Sequence, residues 1–324
     1  MDSLFASVAG GSVSVYCINE DSSCDLKLAY IDEDTDETFY CCAWAFTDEP
    51  ILLVGGVKGS IKAINVARNE LECCFIGHGN AVNDVKVHPV DQNLVLSASK
   101  DESIRLWNLK THACIAIFCG HSGHRDEVLS IAIHPLGNCF VSGGLDSTMK
   151  IWSLDGTKIR SLIVKSYGGD RSKESSVEFI QFPEFSTNLV HNNFIDSVNW
   201  YGNFILSNAV NDKVALWAPD PSRSAVYIVP LQLFKIPHMN VWFLSLAINI
   251  ELDVFAVGNN IGKVIVLVSF LLKLWIVRHY DTCSVVFILS LSLRCNRIIR
   301  SVVFTEDNNY LLASCDDSSI WVWN

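Results

Sequence analysis

The sequence predicts an all-β chain folded as a seven-bladed β-propeller. Three observations carry that expectation. One strand–turn–strand unit recurs seven times along the 324 residues, and its copies end 42 to 65 residues apart. Within each unit apolar and polar residues alternate with the period of a strand. No window sustains a long apolar period of 3.6, so almost no helix is expected.

The copies, in chain order, are LFASVAGGSVSVY (4–16), LLVGGVKGSIKAIN (52–65), LVLSASKDESIRLW (94–107), CFVSGGLDSTMKIW (139–152), FILSNAVNDKVALW (204–217), VFAVGNNIGKVIVL (254–267) and YLLASCDDSSIWVW (310–323). Their ends at 16, 65, 107, 152, 217, 267 and 323 leave gaps of 49, 42, 45, 65, 50 and 56 residues, so the two widest gaps must hold insertions. Four copies end in Trp, and the unit at 52–65 has Asn65 in that place. Alternation puts Ile104 and Leu106 on one face of their strand and Arg105 and Trp107 on the other, while Gly, Asp and Asn between the runs supply turn geometry.

Composition narrows the function classes. An apolar fraction of 50% with 18% charged residues excludes global disorder. There are 24 Lys+Arg against 35 Asp+Glu, a formal net charge of −11 with no basic block, which argues against direct DNA binding. An acidic surface suits a basic partner such as a histone tail. The 12 Cys include no C-x-x-C pair, and the first residues lack the h-region of a signal peptide, which points to buried free thiols in a reducing compartment. His121 and His124 form H-x-x-H without a further ligand at matching spacing, so no metal is expected. Neither G-x-x-x-x-G-K-[ST] nor G-x-S-x-G occurs, and no cofactor or enzymatic activity is expected.

Two units carry an upstream Gly-His. His78, Ser97, Asp101 and Trp107 can form one hydrogen-bonded chain inside a blade, and His124, Ser142, Asp146 and Trp152 repeat the set. A Ser/His/Asp search would flag both sets as catalytic. Their repetition at a fixed phase makes them strand-binding tetrads instead, because buried polar groups need partners.

Residues 75–152, with GHGNAVNDVKVHP, GHRDEVLS and GGLDSTMKIW, resemble the embryonic ectoderm development / extra sex combs family of WD-repeat Polycomb proteins. So do DTDETFYCCAWAF (34–46), IQFPEFSTNLVHNNFIDSVNWYGNFILS (180–207), VWFLSLAI (241–248), GNNIGKVIV (258–266) and DDSSIWVWN (316–324). The resemblance spans most of the chain. It implies a nuclear, non-catalytic WD-repeat scaffold of a Polycomb repressive complex that methylates histone H3. One propeller face would bind a helix of the SET-domain methyltransferase subunit. The other would hold trimethyl-lysine of a histone tail in an aromatic cage and thereby stimulate the methyltransferase.

By the same resemblance Tyr40, Trp242 and Phe243 are the cage residues. The family more often has Tyr where Phe243 stands; Phe keeps the π-face and loses the hydroxyl. A fourth wall lies upstream of LFASV in the family. The physical reason for such a cage is that a quaternary ammonium donates no hydrogen bond and is held by the negative faces of aromatic rings, at roughly 0.5–2 kcal/mol per contact. Taken alone, Tyr40 reads as a strand aromatic packing its blade. Trp242 and Phe243 are neighbours, so on a strand they would point to opposite faces and one should reach the surface or the channel. The acidic run 32–37 reads as a solvated loop able to attract a basic tail.

Two features depart from the family. The first hairpin starts at Leu4, so the innermost strand of the first blade and a closing strand are expected to be missing, as in a truncated gene product or a fragment. Residues 268–293 are an atypical apolar insert. Lys273 and RHYDTC interrupt them too often for a membrane span, a rim insertion would be a large sticky patch, and translated intron sequence fits better. No membrane association is expected. The alternative function is a generic WD-repeat interaction adaptor. A propeller hydrolase would need acidic residues or a metal at repeating positions of the channel mouth.

Overall fold

The computed structural model describes residues 3–19, 23–168, 177–210, 213–220, 227–268, 297–305 and 307–323. Among these, seven sheets, antiparallel but for one strand added to blade 3, follow one another along the chain. Blade 1 is β1 (Ser3–Ala9), β2 (Ser12–Ile18) and β3 (Cys24–Ile31), and blade 2 is β4 (Phe39–Phe46), β5 (Pro50–Gly56), β6 (Ile61–Asn65) and β7 (Glu70–Phe75). Blade 3 has β8 (Val82–Val87), β9 (Leu94–Ser99), β10 (Ile104–Asn108) and β11 (Ala113–Phe118). Blade 4 has β12 (Val128–Ile133), β13 (Cys139–Gly144) and β14 (Met149–Ser153).

After β14 the chain leaves blade 4. It forms helix α1 (Thr157–Ser166), adds β15 (Glu178–Ile180) parallel to β11 as a fifth strand of blade 3, and returns as β16 (Phe185–Thr187), which pairs with β14. This excursion is the insertion expected in the 65-residue gap, and α1 is the one helix among the described residues. Ile159 is buried, and Leu162 and Ile163 pack on the core between blades 3 and 4, so α1 is held by tertiary contact rather than by a capping side chain. Blade 5 is β17 (Ile195–Tyr201), β18 (Phe204–Ala209), β19 (Lys213–Pro219) and β20 (Ile228–Lys235). Blade 6 is β21 (Leu246–Asn249), β22 (Val254–Gly258) and β23 (Val264–Val268), and blade 7 is β24 (Ile299–Phe304), β25 (Leu311–Cys315) and β26 (Ile320–Trp323). The seven hairpins read from the sequence are β1–β2, β5–β6, β9–β10, β13–β14, β18–β19, β22–β23 and β25–β26. Most of the apolar insert, residues 269–296, lies outside the described residues.

The core is not one mass but seven, one between each pair of adjacent blades. Ile104 and Leu106 face blade 4 while Trp107 faces blade 2, as the alternation requires. Phe5 and Ile18 of blade 1 pack on Leu312 of blade 7, and Ser3 Oγ donates to Asp307 at 2.7 Å, so the last blade meets the first and the ring closes. Blades 1, 6 and 7 have three strands each among the described residues.

The inner strands share one irregularity. In β4, β8, β12, β17 and β24 the register slips at the second residue, leaving Tyr40, Asn83, Leu129, Asp196 and Arg300 as bulges. In β8, β12 and β17 the residue after the bulge accepts an amide of the next blade. Asp84 accepts the amide of Ile131 at 3.0 Å, Ser130 that of Val198 at 3.2 Å, and Ser197 that of Leu246 at 3.3 Å. Ser245, at the same phase in blade 6, accepts the amide of Val302 at 3.1 Å. From blade 3 to blade 7 a single side-chain oxygen thus stitches each inner strand to the next.

Free thiols depart in part from expectation: Cys17 and Cys315 are buried, but Cys24 and Cys74 are exposed on β3 and β7. No described helix is long and apolar enough to cross a membrane.

Ser197→Ala would remove one stitch and leave a buried amide without its acceptor. It should lower unfolding stability by about 1–3 kcal/mol in urea titrations, and an unchanged midpoint would show that the stitch contributes nothing.

Candidate functional site

Both polar sets named from sequence occupy the blades as hydrogen-bonded chains. In blade 3, Trp107 Nε1 donates to Ser97 Oγ at 2.8 Å, Ser97 Oγ lies 2.7 Å from His78 Nε2, and His78 Nδ1 lies 2.9 Å from Asp101. Blade 4 repeats this with Trp152 to Ser142 at 3.1 Å, Ser142 to His124 at 2.8 Å and His124 to Asp146 at 3.0 Å. Burial pushes the His78 imidazole down, so the neutral ring accepts from Ser97 and donates to Asp101. Burial also works against the Asp101 carboxylate, but bonds from His78, Ser103 and the Gly79 amide outweigh it and hold the group well below the usual range. Each chain ties the loop before the inner strand to the middle hairpin, with its His and Ser buried.

A third chain escaped the sequence reading. His191 Nε2 lies 2.8 Å from Ser207 Oγ, which accepts from Trp217 at 3.1 Å. No Gly precedes His191, and the missing Gly-His hid it. Its Nδ1 has no partner among the described residues, and burial lowers the imidazole to about 4.

The aromatic candidates sit at one mouth of the channel, where the inner strands begin. Tyr40 is the bulge of β4 and is 48% exposed, so it does not pack its blade. Trp242 and Phe243 are 49% and 44% exposed. They are not on a strand: β21 starts only at Leu246, and Phe243 has φ +56, a left-handed conformation that costs a non-glycine residue on the order of 1 kcal/mol. The pleat alternation expected for them therefore does not operate. Instead the two rings lie parallel, 6.3 Å apart and 14° from coplanar, on one side of the turn. Phe194, just before β17, adds a third ring 5.7 Å from Trp242. Sequence reasoning missed Phe194, whose only signal is its place two residues before the bulge Asp196. Tyr40 makes no ring contact with this patch among the described residues. It lies near the Lys100 ammonium, which pairs with Glu127 at 2.6 Å.

Two bulge residues hold the turn. Asp196 Oδ1 accepts the Phe243 amide at 3.2 Å, and Arg300 Nη1 donates to the Trp242 carbonyl at 2.5 Å while its Nε and Nη2 bind Asp316 at 2.7 and 3.0 Å. Burial raises the Asp196 carboxyl to about 7, against the amides of Phe243 and Leu244 and the charge of Arg300. The acidic run is only partly the solvated loop expected. Asp32 is buried against Lys62, and Glu37 is buried, accepting the amides of Thr38 and Lys58, so Glu33, Asp34 and Asp36 are the exposed acids.

The chain matches the family described as WD domain, G-beta repeat, over residues 69–108, 112–153 and 288–324. It is 36% identical to the Polycomb protein esc of Drosophila virilis over 99% of this chain and 77% of that protein, and 35% identical to the Polycomb group protein FIE2 of Zea mays over 99% and 83%. The chain belongs to the esc/FIE family of Polycomb group proteins. Among solved structures, a chain of Chaetomium thermophilum Polycomb Repressive Complex 2 bound to GSK126 superposes with a TM-score of 0.81 at 19% identity, covering 99% of this chain and 91% of that one. Another, from ctPRC2 in complex with H3K27me3 and H3K27M, gives 0.80 at 20% identity over 98% and 89%. At that identity the structures speak to the fold, a seven-bladed WD-repeat propeller.

The shift at Asp196 sets a pH dependence. An unfolded Asp titrates near 3.9, so between about pH 4 and pH 7 the folded state binds more protons and this group's contribution to stability falls as pH rises. His78 and His191, pushed down by burial, act in the opposite sense. Comparison with Asp196→Asn isolates the carboxyl: from pH 5.5 to about 7 wild type should lose stability relative to the variant, by about 1.4 kcal/mol per pH unit, with little further loss from pH 7 to 8. Parallel pH profiles of the two proteins would contradict this.

Proposed function

We propose that this protein is a non-catalytic, nuclear scaffold of a Polycomb repressive histone methyltransferase complex. At one channel mouth it binds trimethyl-lysine of the histone H3 tail, and this binding stimulates the methyltransferase. The observation that carries the reading is the presentation of Trp242 and Phe243, half-exposed and parallel, on a turn held in the left-handed region. A soluble protein gains nothing in core packing from two adjacent rings turned outward, whereas a methylated ammonium is held by such faces. Family membership and the solved relative in complex with H3K27me3 support the choice of ligand. Tyr40 would form a further wall across the mouth. The exposed acids Glu33, Asp34 and Asp36 lie on the same side and would draw a basic tail.

At the opposite mouth the turns that leave the inner strands expose Phe46, Val90, Leu136, Ile250 and Leu252. These apolar tips would seat one face of a helix from the SET-domain subunit. The tetrads His78/Ser97/Asp101/Trp107 and His124/Ser142/Asp146/Trp152 serve as blade fasteners in this reading. A generic interaction adaptor remains the second reading, and co-purification with a SET-domain methyltransferase separates the two.

Trp242→Ala should abolish binding of a trimethyl-lysine H3 peptide while leaving the unfolding midpoint nearly unchanged, because the indole is half exposed. Unchanged affinity by calorimetry would remove the cage assignment. Neutralising Glu33, Asp34 and Asp36 together should weaken peptide binding at low salt and much less at high salt; a loss independent of salt would contradict the steering role.

A further inference from the structure

We propose that Asp196 and Arg300 are the positioning residues of the aromatic pair: reaching in from the two blades that flank blade 6, they hold the left-handed turn on which Trp242 and Phe243 are presented. Both are bulge residues of inner strands, and between them they tie three successive residues of the turn. Arg300 takes the carbonyl of Trp242, and Asp196 takes the amides of Phe243 and Leu244. Neither side chain touches the rings' faces in this arrangement; each acts on the backbone beneath them.

The energetics point away from a purely structural role. Asp196 is 7% exposed, and its Oδ2 has no partner among the described residues. A buried carboxylate with one oxygen unpaired is unfavourable, and an apolar residue would serve packing better. What the carboxylate supplies is an acceptor for two consecutive amides, which keeps Phe243 at φ +56. Without it the backbone would relax toward the extended region, where adjacent side chains diverge to opposite faces and the parallel stack is lost.

The same geometry makes the turn sensitive to protons. The charge facing Asp196 among the described residues is Arg300 on β24, whose other side is taken by Asp316. β17 and the blade 6 turn present amides. Burial favours the protonated acid, so raising the pH through about 7 favours an opened turn in which the carboxylate meets water.

This inference rests on the methyl-lysine reading of the mouth, and the experiment separates the two. Protein labelled with 5-fluorotryptophan is followed by fluorine NMR from pH 6 to pH 8, with the Trp242 signal assigned by its loss in Trp242→Phe. Binding of a trimethyl-lysine H3 peptide is measured on the same samples. In wild type the Trp242 signal should titrate with a midpoint near 7, and affinity should fall roughly three- to tenfold from pH 6 to pH 8. Asp196→Asn, which keeps the acceptor and cannot ionise, should match wild type at pH 6 and stay flat. Asp196→Ala and Arg300→Gln should shift the signal at every pH and bind roughly tenfold more weakly. A Trp242 signal that ignores both pH and Asp196→Ala overturns the positioning role. A signal that behaves as described in a protein that binds no methylated peptide upholds the positioning role and overturns the ligand.

Discussion

The register slip at the start of the inner strands is the constraint on which this propeller depends. A regular strand would alternate its side chains between the two neighbouring blades. One extra residue at the mouth breaks that alternation and does two things together. It takes the bulge residue out of the alternation, and in β8, β12 and β17 it aims the following side chain at an amide of the next blade. Asp84, Ser130 and Ser197 make that second contact in blades 3, 4 and 5, and Ser245 makes the same contact in blade 6 without a slip. The ring is stitched at its centre by the same device that furnishes its mouth.

The chemistry of the mouth follows from which residues occupy the bulges. Four of the five carry polar or aromatic groups: Tyr40, Asn83, Asp196 and Arg300, with Leu129 the exception. Blade 6 departs from the pattern, since its chain enters β21 through a left-handed residue rather than through a slip in the ladder. Its flanking bulges compensate by grasping the turn. A buried acid and a left-handed phenylalanine are each unfavourable alone, and they persist because each removes part of the other's cost: the strained turn offers its amides to the acid, and the acid holds the strain.

Much of this was readable from residues alone, for reasons that differ from place to place. The hairpins are legible because turn residues mark each one and a terminal Trp marks four, and because a Trp wedged between blades at 107, 152 and 217 is costly to replace. The tetrads at His78 and His124 show through a Gly-His in constant phase, while the chain at His191 lacks that Gly and stayed hidden. The identities of Trp242 and Phe243 were visible through family resemblance, but their geometry was not. A sequence does not announce a left-handed phenylalanine, and the strand rule applied to them fails where the strand has not yet begun. Phe194 and Asp196 were invisible for a related reason: their roles come from the neighbouring blade, about 47 residues along the chain, and no local pattern encodes that contact. Blade 3's fifth strand is likewise unreadable, since β15 is three residues long and pairs with a strand laid down before the helix.

In the proposed function the mouth recognises positive charge through π-clouds rather than shape through apolar contact. An H3 peptide bearing trimethyl-lysine and one bearing its neutral carbon isostere, with a tert-butyl group in place of the trimethylammonium, fill the same volume and differ in charge. Calorimetric titration of the same protein with each isolates that difference. The account predicts that the cationic peptide binds more tightly, by about 0.5–2 kcal/mol for each ring engaged. Equal affinities, or tighter binding of the neutral peptide, would contradict it.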